Sequence, residues 1–309
     1  MTKKTLALIS GGFSSEREVS ISGGNQVFDA LDKDKYLIQR YDPKFDLIRL
    51  VTDAPDIDVA LIILHGPYGE DGTIQGMLEL LDIPYQGSGV LGSALAIDKV
   101  ASKKIFEQNN LPVPPYRIAR KGMAFDENEC LHELGLPLFV KPATGGSSIG
   151  MSRVASGNDL GTALEKAFEY DDVILIERFI KGTELTCSVI GNEDLTALPL
   201  IEIIPANPSS TFFDYEAKYS PGGATEICPA RISDDLTQTM QALSIKAHKA
   251  LGLRGYSRTD MILSDGSFYI LETNTIPGMT RTSLLPLSAK TAGISFSQLL
   301  DRLIELALE

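Results

Sequence analysis

The pattern Arg258-x-Asp260 followed by Glu272-x-Asn274, set on either side of Ser264-Asp265-Gly266-Ser267, constrains this chain more than any other feature. The central tetrapeptide is a turn signal and the flanking runs, 257–263 and 268–273, have strand composition, so the segment reads as a hairpin. If residue 260 pairs with 272, residue 258 faces 274, and the period of two puts all four polar side chains on one face. Toward the turn that face is expected to carry Ile262, Phe268 and Ile270, and the other face Met261, Leu263, Tyr269 and Leu271. Both faces are therefore expected to be buried. Two carboxylates enclosed at the end of a hairpin repel and lose hydration unless a cation lies between them. Oxygen ligands from Asp260, Glu272 and Asn274 suit Mg²⁺ or Mn²⁺, whose shell is commonly completed by phosphate oxygens. A magnesium-nucleotide site follows from such a set. The apolar flanks disfavour the alternative, a wet edge hairpin with ordinary surface charges.

The 309 residues suit two or three modest domains, and 43% hydrophobic with 22% charged residues is ordinary for a globular chain. A formal net charge of −13 argues against a nucleic-acid partner, which requires a basic footprint. Cys130, Cys187 and Cys228 lack metal-ligand spacing and cannot all pair, so a reduced, cytoplasmic setting is expected. No apolar run approaches membrane-spanning length and residues 6–9 are too short for a signal-peptide core, so neither export nor a membrane partner is expected.

The first hundred residues alternate as in a parallel α/β domain. Strands are expected at 5–9 and 59–64 and helices from Gly12 to Leu31 and near 73–81. Loops 11–16 and 65–72 then share the carboxyl edge of the sheet, where ligands bind. A helix opens at Asp98-Lys99, and Leu111-Pro112-Val113-Pro114-Pro115 breaks it. Strands at 138–141 and 173–177 flank a helix near 159–168, and a further helix is expected near 234–251. Phe296, Leu299, Leu300, Leu303 and Ile304 give the last helix an apolar stripe, read as core.

Three more constellations could carry chemistry. The glycine-rich run 144–150 (TGGSSIG) follows Val140-Lys141-Pro142. Its backbone N–H groups, with Gly146, Ser147 and Ser148, could close on an anion, although it is not a Walker loop. An apolar strand running into Glu177-Arg178-Phe179-Ile180, with Glu184 beyond, has the form of a base-and-ribose slot. The segment 207–223 is long for an unstructured loop, and its Tyr215-Glu216-Ala217-Lys218-Tyr219 suits a lid that excludes water. His65, at a strand's carboxyl end, is a candidate substrate contact.

In combination these motifs resemble the D-alanine–D-alanine ligases of the ATP-grasp superfamily over essentially the whole chain. The resemblance rests on Gly11-Gly12-x-Ser14-x-Glu16-x-Glu18-Val19-Ser20, His65-Gly66-x-x-Gly69-Glu70-Asp71-Gly72, Asp98-Lys99 and Gly146-Ser147-Ser148-x-Gly150. It extends through Tyr215–Tyr219, Arg258-x-Asp260 and Glu272-x-Asn274-x-x-Pro277-Gly278-Met279-Thr280-x-x-Ser283. It implies an α/β chain with α+β character in its C-terminal two thirds. A parallel α/β substrate domain (1–97) would precede a two-part ATP-grasp fold (98–181, then 182–309 with the lid). It also implies two Mg²⁺ or Mn²⁺ ions on Asp260, Glu272 and Asn274. ATP would lie against Lys99, Lys141, Gly146, Ser147, Ser148, Glu177, Phe179, Glu184 and Lys218. The substrate D-alanine would meet Glu16, Val19, Ser20, His65, Arg258, Ser283 and Leu284. Glu16, Ser147, Tyr219, Arg258, Gly278 and Ser283 would form the catalytic set. The activity implied is ATP-dependent joining of two D-alanines for peptidoglycan precursors, by a homodimer. D-lactate or D-serine as acceptor is the alternative within this chemistry, and a regulatory module without turnover the alternative outside it. Gly145 stands where many relatives carry an acid, and Tyr219 favours dipeptide formation.

Overall fold

The computed structural model describes residues 3–146, 149–205 and 223–309. In the first hundred residues, β1 (Lys4–Ile9) is the centre of a parallel sheet, between β2 (Tyr36–Tyr41) and β3 (Val59–Ile62). Helices α1 (Arg17–Ala30), α2 (Pro43–Asp53) and α3 (Thr73–Leu80) follow the strands, and α4 (Val90–Ile97) leads out of the unit. Leu6, Ala7, Leu8 and Ile9 have no exposed surface, as a strand covered on both faces requires. The α/β alternation was expected, whereas β2 and α2 lie in a stretch the sequence patterns did not single out.

A second sheet is antiparallel, in the order β4 (Tyr116–Arg120), β7 (Val173–Arg178), β5 (Leu138–Pro142), β6 (Ser152–Val154). Helices α6 (Glu127–Leu134) and α7 (Leu160–Ala167) pack on one of its faces through Leu134, Leu160 and Leu164. Helix α5 (Lys99–Gln108) joins it to the first unit, capped by Asp98, whose side chain accepts from the N–H groups of Val100 and Ala101. The third sheet runs β11 (Ala224–Ile227), β10 (Ile201–Pro205), β8 (Thr183–Gly191), β12 (Gly255–Ser264), β13 (Ser267–Asn274), with β9 (Thr196–Ala197) beside β8. Helix α8 (Asp234–Ala250) covers its back through Met240 and Ala247, against Leu185, Met261 and Ile270.

The β12–β13 hairpin has the expected register: Asp260 pairs with Glu272 and Arg258 with Asn274. Its turn places Asp265 and Gly266 at φ of 48° and 76°, the left-handed pair that matches the twist of a two-residue hairpin. The assignment of faces beyond the acids needs correction. The register shifts between Asp260 and Met261, so that Met261 pairs with Ile270 and Leu271 is the extra residue of a bulge. Phe268 and Ile270 therefore join Met261 and Leu263 in the core under α8, while Ile262 and Leu271 face the cavity described below.

The chain closes with α9 (Leu284–Thr291) and α10 (Phe296–Ala307). The apolar stripe of α10 is core, as expected, and it packs between the first sheet and the end of the third, where Ile190 and Tyr256 join it. Leu299, Leu300, Leu303 and Ile304 pack with Leu6, Leu8, Val27 and Leu61 on one face of the first sheet. Leu303→Ala removes part of this seam. It should lower the unfolding free energy by about 2–5 kcal/mol, as large-to-small core substitutions do, measured by urea denaturation.

Candidate active site

Two adjoining cavities meet where the three sheets converge. The first, about 580 Å³, lies between the second and third sheets and is lined by Lys141, Glu177, Phe179, Glu184 and Asp260 among others. The second, about 530 Å³, lies between the N-terminal loops and the segment before α9. It is lined by Glu16, Val19, His65, Asn274, Gly278 and Ser283. Lys99, Gly145, Gly146, Arg258, Glu272 and Leu284 line both, so they form the shared wall.

Asp260 organises that wall. Its carboxylate accepts two hydrogen bonds from Arg258, at 2.9 and 2.8 Å, one from Asn274 Nδ2 at 3.0 Å and one from Thr186 Oγ1 at 2.6 Å. Thr186 is its cross-strand neighbour on β8, as Glu272 is on β13. Burial works to lower the Arg258 guanidinium, but Asp260 and then Glu272 more than offset this and hold it charged. Among the described residues no group of three or more His, Cys, Asp or Glu could hold a metal ion. Two cross-strand carboxylates and an amide supply oxygen donors that fit a hard divalent cation only if the ligand brings further oxygens.

The N-terminal loops converge on Glu16, which is buried. A Cβ on Gly66, whose φ is +67°, would lie 2.9 Å from Glu16 Oε2, and one on Gly146 would lie 3.0 Å from it. The left-handed φ of Gly66 favours glycine there, and both loops come close to the tip of this side chain. His65 is buried beside it, and burial lowers the imidazole while Glu16 opposes this. Ser20 does not reach the cavity. Its hydroxyl accepts from Gly11 N and donates to Ile63 O, pinning the first loop to the end of β3. Ser283 caps the turn before α9, where its Oγ accepts from Thr280 N at 3.1 Å.

On the first cavity's side, Lys99 Nζ donates to Gly145 O at 2.8 Å, tying α5 to the glycine-rich loop. Phe179 packs edge-on against Phe139 with ring centres 5.6 Å apart. Glu177 is placed differently from an open base-reading group: its carboxylate is enclosed between Lys141 and Lys103. Burial acts to raise this carboxyl, but the two lysines together hold it below its ordinary value. Of the expected site residues, Ser147, Ser148, Lys218 and Tyr219 lie outside the described residues.

Lys103 and Asp171 escaped the sequence patterns, and Glu70 stands in a quoted motif with no role assigned to it. Lys103 is fully buried one helical turn after Lys99, a spacing that could have flagged it. Asp171 accepts from both the N–H and the hydroxyl of Thr144, at 2.8 and 2.7 Å, and so anchors the start of the glycine-rich loop. Glu70 accepts from Gly66 N at 2.8 Å and lines the second cavity. Burial, reinforced by Glu16, pushes its carboxyl up to about 8. Its folded form therefore binds a proton that the unfolded chain has already released, and stability falls as pH rises from about 4.5 to about 8. Glu70→Gln should flatten that decline, read from urea midpoints across the same pH range.

Family models described as "D-ala D-ala ligase N-terminus" and "D-ala D-ala ligase C-terminus" match residues 42–88 and 105–305. A D-alanine–D-alanine ligase of Syntrophobacter fumaroxidans is 59% identical, covering 99% of this chain and 98% of the relative. A crystal structure of the Bacillus anthracis D-alanine–D-alanine ligase complexed with ATP superposes with a TM-score of 0.86 at 40% identity, covering 99% of this chain and 97% of that one. A D-Ala:D-Ser ligase from Enterococcus faecalis gives 0.83 at 33% identity, with 99% and 100% covered. With two ligase models spanning most of its length and a full-length relative at that identity, the chain belongs to the D-alanine–D-alanine ligase family and has its ATP-grasp fold.

Proposed function

We propose that this protein joins two D-alanine molecules at the expense of ATP, making the dipeptide used in peptidoglycan precursors. The observation that carries this is the shared wall: Lys99, the glycine-rich loop, Arg258 and Glu272 border both an apolar-sided slot and a polar cavity. A triphosphate in the slot would present its terminal phosphate to a carboxylate in the cavity. The names of the relatives, and the ATP in the B. anthracis structure, support the same substrates.

In this function Phe179 and Glu184 hold the adenosine, and Glu177 lines the slot with its carboxylate held by Lys103 and Lys141. Lys99, Lys141 and the loop through Gly146, Ser147 and Ser148 hold the phosphates. Asp260, Glu272 and Asn274 would hold two Mg²⁺ or Mn²⁺ ions. Bound there, the ions would neutralise charge on the transferring phosphoryl group. Glu16 receives the ammonium of the first D-alanine, while His65 meets its carboxylate and Val19 bounds its pocket. That carboxylate attacks the terminal phosphorus, releasing ADP and forming D-alanyl phosphate. Ser283 and Leu284 place the second D-alanine, whose amine attacks the acyl carbon. Arg258 and the Gly278 N–H stabilise the tetrahedral oxyanion, and phosphate departs as the amide forms. Lys218 and Tyr219 would close over the intermediate, with Tyr219, Ser147 and Glu16 linking lid, loop and N-terminal unit.

The division at 97/98 and 181/182 into three units is supported by the three sheets, each of which falls within one of them. A cytoplasmic location is supported by three free cysteines, and no helix among the described residues is long and apolar enough to cross a membrane. A homodimer is supported by the apolar outer face of α2, where Phe45 is 73% and Ile48 84% exposed.

Purified protein with D-alanine, ATP and Mg²⁺ should release ADP without another acceptor. If release requires D-lactate or D-serine, the acceptor is wrong; if nothing supports release, so is the activity. Chelation of divalent ions should stop turnover, and Mg²⁺ should restore it. Arg258→Ala should lower kcat by about 10²–10³, as loss of an oxyanion donor does, with a much smaller change in nucleotide affinity. Equal losses in both would remove Arg258 from the oxyanion role.

A further inference from the structure

The cluster around Glu177 holds more positive charge than its structural work requires. Lys141 on β5 and Lys103 on α5 both pair with this one carboxylate. They differ in where they can go. Lys103 is fully buried and does not border the cavity, and its ammonium is enclosed with Glu177 and the ring of Tyr116. The Lys141 side chain keeps 13% of its surface and lines the first cavity. Burial pushes the Lys103 ammonium down, with Glu177 opposing and Lys141 reinforcing that fall. Two ammoniums about one carboxylate leave a positive charge that the Glu272 carboxylate offsets only in part, and the Lys141 half of it faces the slot.

We propose that Lys103 is a positioning residue: it is the fixed counter-ion of Glu177, and so leaves Lys141 able to exchange that carboxylate for the phosphates of a nucleotide. A buried carboxylate cannot stay ionised without a cation beside it. Without Lys103, the ammonium paired with Glu177 would be Lys141 alone, and a phosphate could claim Lys141 only by stranding a buried anion. With Lys103 in place the exchange leaves one ion pair behind and forms a second. Lys99 and Lys103 then divide the labour of one helix face a turn apart: the first reaches the glycine-rich loop, the second holds the strand opposite.

This inference rests on the proposed nucleotide site, and the test separates the two. Calorimetry with Mg²⁺ gives the dissociation constants of ATP and adenosine, and their ratio isolates what the phosphates contribute. If the unaltered protein binds no ATP, the nucleotide site itself is wrong. If it does, Lys103→Met should cut the adenosine-to-ATP ratio by about tenfold or more, the range for loss of a charge-assisted hydrogen bond, while adenosine changes little. Lys103→Met/Glu177→Gln should return the ratio to at least its starting value, because the neutral amide no longer holds Lys141. An unchanged ratio with Lys103→Met, as a purely structural lysine would give, overturns the proposal; so does a double variant no better than the single. Where Lys103→Met does not fold, Glu177→Gln and the double variant decide. Their ratios should agree within about twofold, and a large drop on adding Lys103→Met overturns the proposal.

Discussion

Asp260 sits in the middle of a sheet with almost no access to solvent, and its ionised carboxylate must be neutralised where it stands. Arg258, two residues away on the same strand, does this through two hydrogen bonds, with Asn274 and Thr186 completing the shell from the strands on either side. The compensation needs β8, β12 and β13 in one particular register, because a shift of one residue would turn Asp260 to the opposite face. Register, buried charge and the position of Arg258 between the two cavities are therefore one constraint.

The rest of the site is arranged around that wall by close backbone approach. Gly66 and Gly146 come from units far apart in sequence, yet both press on Glu16. A side chain at either would crowd the tip of the Glu16 side chain and shift its carboxylate. Asp171 and Lys99 hold the glycine-rich loop near its start through Thr144 and the Gly145 carbonyl. Both of these anchors come from outside the loop. A chemistry that makes an acyl phosphate needs such enclosure, since water competes for the intermediate.

Local signals in the chain were informative in proportion to how local their causes are. Asp265-Gly266 dictates a tight turn, but counting outward from it pairs 260 with 271, and the pairing of 260 with 272 needs the bulge. The Asp98 cap, the buried β1 and β3 and the ends of α8 follow equally from neighbours in sequence. The bulge at Leu271 escaped, because an extra residue leaves alternation plausible on either side of it and only the packing of Phe268 and Ile270 under α8 selects the shifted register. The resemblance implies a substrate contact for Ser20, whereas its hydroxyl bridges Gly11 and Ile63, a contact between loops that a motif does not reveal. Lys103 passed unnoticed since a lysine on an amphipathic helix is ordinarily solvated.

What the sequence determined alone was the set of short-range structures and the chemical inventory: the hairpin and its acids, the glycine-rich loop, the α/β alternation and the family these motifs spell. The tertiary structure alone decided which surfaces meet. It placed the stripe of α10 between the first sheet and the end of the third, closing the two ends of the chain into one core, and it enclosed Glu177 between two lysines. The division has a physical cause. Turns, caps and alternation are set by sterics and hydrogen bonds within a few residues, whereas the partner of an apolar stripe or a buried charge is chosen by the whole chain's competition to leave water.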